Sequence, residues 1–108
     1  MKRENILIAI MSYNRGDHLE NCVTSVANNI SSNILVLDDA STCPKTKTKL
    51  SEIAKKYEVI INKKKNENRR LKGLYYNMNK ALDYAIHRRY LYILFIQDDM
   101  QIIRKIYL

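Results

Sequence analysis

The chain has 108 residues, with nineteen Lys and Arg against eleven Asp and Glu, and so a formal charge of +8. That length suits one domain, or half of a larger one, around a single core, and a composition 46% hydrophobic and 28% charged excludes a disordered chain. The longest apolar run, residues 90–96, spans seven residues and is too short to cross a bilayer, which takes about 20 in a helix.

Residues 5–11 (NILIAIM) form a near-continuous apolar run, the mark of a strand buried on both faces. Tyr13-Asn14-Arg15-Gly16 breaks the run, and Asp17 is placed to cap a helix whose apolar face is Leu19, Cys22, Val23, Val26 and Ile30. Residues 33–37 (NILVL) make a second buried strand, ending at Asp38-Asp39. After an Ala-Ser-Thr-Cys loop, Pro44 suits the start of a second helix with Leu50, Ile53, Ala54 and Tyr57 turned inward. Residues 58–62 (EVIIN) read as a short third strand, and 63–70 as a polar connection. A third helix over 71–87 carries Leu74, Tyr75, Met78, Leu82 and Ile86 at helical spacing. Residues 90–96 (YLYILFI) are the fourth strand, which ends at Gln97-Asp98-Asp99. Strands alternating with crossover helices predict an α/β fold: a doubly wound, mostly parallel βαβαβαβ sheet with helices on both faces.

The basic excess is local. Residues 45–72 hold eleven basic residues against Glu52, Glu58 and Glu67, which accounts for the whole of the +8. Such a segment could bind an anionic partner, including a membrane surface, although a solvated helix face with a charged loop explains it as simply. Specific nucleic-acid binding is not expected, because no aromatic residue interleaves residues 63–70 to stack on bases. Residues 6–11 are too short for a signal h-region and no small-residue cleavage site follows, so a cytoplasmic location is the default expectation.

In open parallel sheets, ligands bind outside the carboxyl ends of the strands. Ser12-Tyr13-Asn14-Arg15 follows strand one, Asp38-Asp39 strand two and Asp98-Asp99 strand four, so all three clusters belong on one edge. Two adjacent carboxylates at a strand tip are hard to desolvate without a cation. Hard oxygen ligands suit Mg²⁺ or Mn²⁺, whose shell is completed by water and substrate phosphates. Asp38 or Asp39 could accept hydrogen bonds from a base or a ribose, Tyr13 could stack on a base, and Arg15 could meet a phosphate. A helix cap or a solvent-exposed turn is the simpler account of either Asp pair alone. The only glycines are Gly16 and Gly73, which excludes a Gly-x-Gly-x-x-Gly loop and a P-loop.

In this order and spacing, ILIAIMSYNR, ILVLDDAST, the helix carrying Gly73 and Asn79-Lys80-Ala81-Leu82, and YILFIQDDM resemble the N-terminal half of family 2 glycosyltransferases of the GT-A fold, over residues 6–100. The resemblance implies transfer of a sugar, with inversion, from a nucleotide diphosphate sugar, expected to be a UDP-sugar, with Mn²⁺ or Mg²⁺ as cofactor. It places Ser12, Tyr13, Arg15, Asp39, Asn79 and Asp98 at the donor, with Tyr13 against the base and Asp39 reading base or ribose. Asp98 and Asp99 are then the metal ligands. Ala40 stands where the family commonly has Gly, Gln97 where an acid is frequent, and no proline follows the aspartates. With Leu108 nine residues after Asp99, the expectation is a truncated nucleotide-sugar-binding domain without acceptor site or catalytic base, and therefore without turnover of its own.

The remaining residues read as structural. Cys22 lies on an apolar helix face, His87 suits a helix end, and Cys43 sits in a loop without a catalytic motif. Ile102, Ile103, Ile106 and Leu108 would expose apolar surface, from which self-association or a second chain is expected. The alternative function is a non-catalytic α/β module that binds a nucleotide or anionic partner through residues 45–72. A receiver-like domain would need acids after strand one and strand three, where Met11-Ser12 and Asn62-Lys63 stand.

Overall fold

A computed structural model describes residues 5–62 and 70–106. The lysine-rich segment 63–69 and Leu108 lie outside the described residues. The elements run β1 (Ile6–Ser12), α1 (Gly16–Asn29), β2 (Asn33–Asp38), α2 (Pro44–Ile53), β3 (Glu58–Ile61), α3 (Arg70–His87) and β4 (Tyr92–Gln97). All strand pairs are parallel, in the order β3-β2-β1-β4. The chain therefore builds outward from β1 to β3 and then crosses to the opposite side of β1, which puts the reversal of strand order between β1 and β4.

Side-chain alternation along β1 feeds two cores. Ile8 and Ile10 point to the face covered by α1 and α2, where they pack with Leu19, Cys22, Val26, Val36 and Leu50. Leu7, Ala9 and Met11 point to the α3 face and meet Leu35, Leu37, Ala81 and Ala85. Each fully buried Leu or Ile contributes about 1.5–3 kcal/mol. Among the described residues, no helix is long and apolar enough to cross a membrane.

The structure departs from the sequence reading at several points. Helix α1 starts at Gly16, one residue before the expected Asp17 cap; Arg15 occupies the cap position without a side-chain bond. Asp17 lies in the first turn and pairs with Lys45 at 2.8 Å. In α2, Pro44 does open the helix, but Ala54 is exposed and Thr46 is buried. Strand β3 stops at Ile61, so Asn62 lies just past its end, with a buried side chain. Strand β4 starts at Tyr92 rather than residue 90, because Arg89 takes a left-handed conformation (φ 63°). Tyr90 N–H bonds to the Ala85 carbonyl at 2.9 Å and Arg89 N–H to that of Ile86 at 3.1 Å, a Schellman closure of α3 made without glycine.

The largest correction concerns α3. Tyr75, Leu82 and Ile86 were expected to face the core, yet they are 59%, 40% and 70% exposed. The inward face is Leu74, Met78, Ala81 and Ala85, with Asn77 buried among them. Small alanines let the helix lie close on the sheet. Strand β4 is less buried than its composition suggests, since among the described residues it pairs only with β1: Tyr92 and Leu94 stay exposed while Ile96 is covered.

Beyond β4 the chain turns back along α1. Ile102 N–H donates to Ser25 Oγ at 3.0 Å, Asn29 Nδ2 to the Ile102 carbonyl at 2.9 Å, and Ile106 N–H to the Asn29 carbonyl at 2.8 Å. Ile102 packs on the core, whereas Ile103 and Ile106 stay exposed.

Candidate functional site

Register places the strand ends side by side: Ser12 lies opposite Asp38, and Met11 opposite Gln97. The backbone then closes the edge, with Asp39 N–H bonded to the Ser12 carbonyl and Asn62 N–H to that of Asp38. The connections after β1 and β2 are stitched together by side chains. Asn14, left-handed at φ 51°, accepts the N–H groups of Thr42 and Cys43 on Oδ1. Its own N–H donates to Ser41 Oγ at 2.9 Å. Asp38 is fully buried and accepts Ser41 N–H at 2.7 Å and Ser41 Oγ–H at 2.6 Å. It is a turn-holding carboxylate, and the neighbouring Asp39 is the one that lines a cavity.

A cavity of about 250 Å³ opens at this edge, lined by Met11, Ser12, Tyr13, Arg15, Asp39, Leu74, Asn77, Gln97 and Asp98. Asp39 Oδ1 and the Ser12 hydroxyl are buried there with no hydrogen-bond partner among the described residues. Buried polar atoms of this kind are costly unless something fills them. On the other side of β1, Asp98 is 3% exposed and accepts the Tyr13 N–H at 3.1 Å on Oδ2. Arg15 bridges the aspartate pair, with Nη1 at 3.5 Å from Asp98 Oδ1 and 3.2 Å from Asp99 Oδ2. Burial pushes the Asp98 carboxyl above its ordinary pKa, while the Tyr13 N–H and then the Arg15 guanidinium pull it back.

The structure thus gathers Ser12, Tyr13, Arg15, Asp39 and Asp98 around one cavity. Asp99 lies outside the lining, half-exposed, and is tied to it through Arg15. Asn79 sits on the exposed side of α3 and does not line the cavity. Asn77, two residues earlier, does, and the sequence reading does not place it, Met11 or Leu74 at the site. The signal for Asn77 was a lone polar position on the face that Leu74, Met78 and Ala81 share.

Neither cysteine is a nucleophile for this cavity. Burial raises the Cys22 thiol to about 11, helped by the Asp98 and Asp99 charges, and its Sγ lies 3.6 Å from the Gln97 carbonyl. Cys43 is held below its ordinary value by Thr46, first through the backbone N–H, but it stands at the start of α2, outside the lining. In the basic segment, Lys45 and Lys49 are engaged with Asp17 and Glu20 at 2.8 and 2.9 Å.

The Asp38-Asp39-Ala40-Ser41 turn has a backbone that would suit glycine better than the alanine it holds. Ala40 is left-handed at φ 52°, a region that costs a residue with a Cβ about 1–2 kcal/mol. Ala40→Gly should raise stability by about 0.5–1 kcal/mol after the larger backbone entropy of glycine in the unfolded chain is counted. A lower urea midpoint for that variant would contradict the assignment.

No curated protein matches the sequence. Residues 7–106 match the domain described as Glycosyl transferase family 2. The match covers nearly the whole chain, including the parallel α/β sheet and the polar residues that gather around the cavity at its carboxyl edge: the protein belongs to glycosyltransferase family 2.

Proposed function

We propose that this chain binds the nucleotide-sugar donor of a glycosyl transfer in the cavity at the ends of β1, β2 and β4, with UDP as the nucleotide. The observation that carries the reading is the convergence of Tyr13, Arg15, Asp39 and Asp98 on that one cavity from three separate strand ends. The orphaned Asp39 Oδ1 supplies an acceptor for an N–H or hydroxyl of the nucleoside. The Tyr13 ring gives the base an apolar surface. Across β1, Arg15 is positioned to meet the diphosphate.

Asp98 and Asp99 fit a divalent cation, Mn²⁺ or Mg²⁺. Their carboxylates share one guanidinium, and Asp99 is open to solvent, with 53% of its side chain exposed. One or two carboxylates completed by water and phosphate oxygens are the usual Mg²⁺ set. Among the described residues no cluster of three or more His, Cys, Asp or Glu is present, so the remaining ligands would come from the diphosphate and water. Such an ion supplies neutralisation of the charge that develops on the diphosphate leaving group. Arg15 holds that role toward Asp98 and Asp99 themselves in the free protein, which keeps two like charges tolerable at one strand tip.

Thermal unfolding tests this. A UDP-sugar should raise the melting temperature only with Mn²⁺ or Mg²⁺ present. At a hundredfold excess over Kd the stabilisation is about 2.7 kcal/mol. Asp99→Asn should abolish the shift at unchanged intrinsic stability, since Asp99 is exposed and pairs with an exposed arginine. Metal-independent binding that falls steeply with salt would instead favour an anion-binding module acting through residues 45–72.

A further inference from the structure

Asn77 is 2% exposed and lines the cavity, and its amide is not free to choose which atom faces inward. The constraint begins at Lys80, one turn along α3. Its ammonium has hydrogens to give and no lone pair to offer. Held 4.9 Å from the Tyr76 ring centroid, it donates to Asn62 Oδ1 at 3.2 Å. Asn62 therefore presents its oxygen to Lys80 and must turn its Nδ2 the other way. That Nδ2 donates to Asn77 Oδ1 at 2.8 Å in a buried bond. Asn77 in turn points its oxygen at Asn62, so the group turned the other way is its NH2. An amide alone leaves its oxygen and nitrogen interchangeable, but a chain that starts at a lysine does not.

The position of this amide is equally informative. Asn62 follows β3 and is bonded through its N–H to the Asp38 carbonyl, so Asn62 and the Asn77 it bonds stand on the β2 side of the cavity. Asp39, with its orphaned acceptor oxygen, follows β2 as well. Asp98 and Asp99 stand across β1, at the end of β4. The cavity thus has Asn77 and Asp39 on its β2 side and Asp98, bridged through Arg15 to Asp99 outside the lining, across β1.

We infer that Asn77 is a specificity-determining residue that donates its side-chain N–H to a carbonyl oxygen of the donor nucleobase, and that Asn62 and Lys80 are positioning residues that set its polarity. The inference rests on the donor-site reading above and deepens it. An acceptor at Asp39 and a donor at Asn77, both lining the one cavity, complement the adjoining N–H and C=O of an imide such as uracil. Cytosine offers an unprotonated ring nitrogen where uracil offers that N–H.

Isothermal titration of the full chain with UDP, UMP and CDP, each with Mn²⁺, tests it. The wild type should bind UDP and prefer it to CDP. Asn77→Asp replaces the NH2 by an oxygen of the same size, with Lys80 nearby to offset the charge. It should weaken UDP about ten-fold or more, the loss expected when a buried contact is reversed. UMP should lose by the same factor, because the base is unchanged. Asn62→Asp is the sharper probe: the new carboxylate still accepts from Lys80 but faces Asn77 with an oxygen, which turns the Asn77 amide around. UDP affinity should then fall by a similar factor at an undiminished melting temperature, with Asn77 itself untouched. Wild-type affinity in both folded variants would overturn the inference and leave the donor site standing. A loss seen with UDP but absent with UMP would place the contact on the distal phosphate and overturn it too. A wild-type chain that binds none of the nucleotides would overturn the donor-site reading and this inference with it.

Discussion

Asp38→Ala should lower the unfolding free energy by about 3 kcal/mol, read as a drop in the urea midpoint at unchanged slope. The carboxylate is fully buried and makes two short bonds to Ser41, at 2.7 Å to the N–H and 2.6 Å to the hydroxyl. Removing it strands both donors, each at about 1–3 kcal/mol in a buried setting. The damage would spread, because Ser41 Oγ also receives the Asn14 N–H. Without it, the connections after β1 and β2 lose their common anchor, and nucleotide binding should go with them. Asp38→Asn keeps one acceptor oxygen and should cost about half as much. A loss below about 1 kcal/mol for the alanine variant would show that the turn holds itself without the carboxylate.

Gly16→Ala sets two effects of opposite sign against each other. Alanine is the better helix former by about 0.5–1 kcal/mol, and Gly16 lies in the first turn of α1. However, a Cβ at this position would come within 2.9 Å of Thr46 Cα and 3.3 Å of Thr46 N, both backbone atoms of α2 that cannot rotate away. Relief requires α1 and α2 to separate, which also stretches the 3.1 Å bond from Gly16 N–H to Thr46 Oγ1. Overpacking of this kind costs about 1–3 kcal/mol, so the expected outcome is a net loss of about 2 kcal/mol despite the gain in propensity. A stabilised variant would mean that the two helices can part at little cost.

Much of the fold was legible because β1 and β2 are apolar without interruption, and only a strand covered on both faces requires that. Parallel pairing then forces Tyr13, Asp39 and Asp98 to one edge. What the sequence did not show depends on partners distant in the chain. The inward face of α3 was misjudged because Tyr75, Leu82 and Ile86 share the helical period of the true core positions, and Ala81 and Ala85 carry little hydrophobic weight. Asn77 escaped notice because a polar residue on a helix reads as solvent-facing until Asn62, fifteen positions earlier, is brought against it. The end of α3 was invisible for a related reason: Arg89 takes the left-handed position usually signalled by glycine. The different fates of Asp38 and Asp39 were equally hidden, since adjacent identical residues on a strand end are told apart only by which of them meets Ser41.

The direction in which the chain runs has one more consequence. Helices α1 and α2 each leave the sheet a few residues after the carboxyl end of a strand, so both begin at the edge where the cavity opens. Peptide dipoles align along a helix and leave roughly half a positive charge at its first turn. Two such ends contribute a standing positive potential on that side, which eases the crowding of acidic groups there and favours an incoming polyanion. No side-chain replacement abolishes it, because it is written in the backbone.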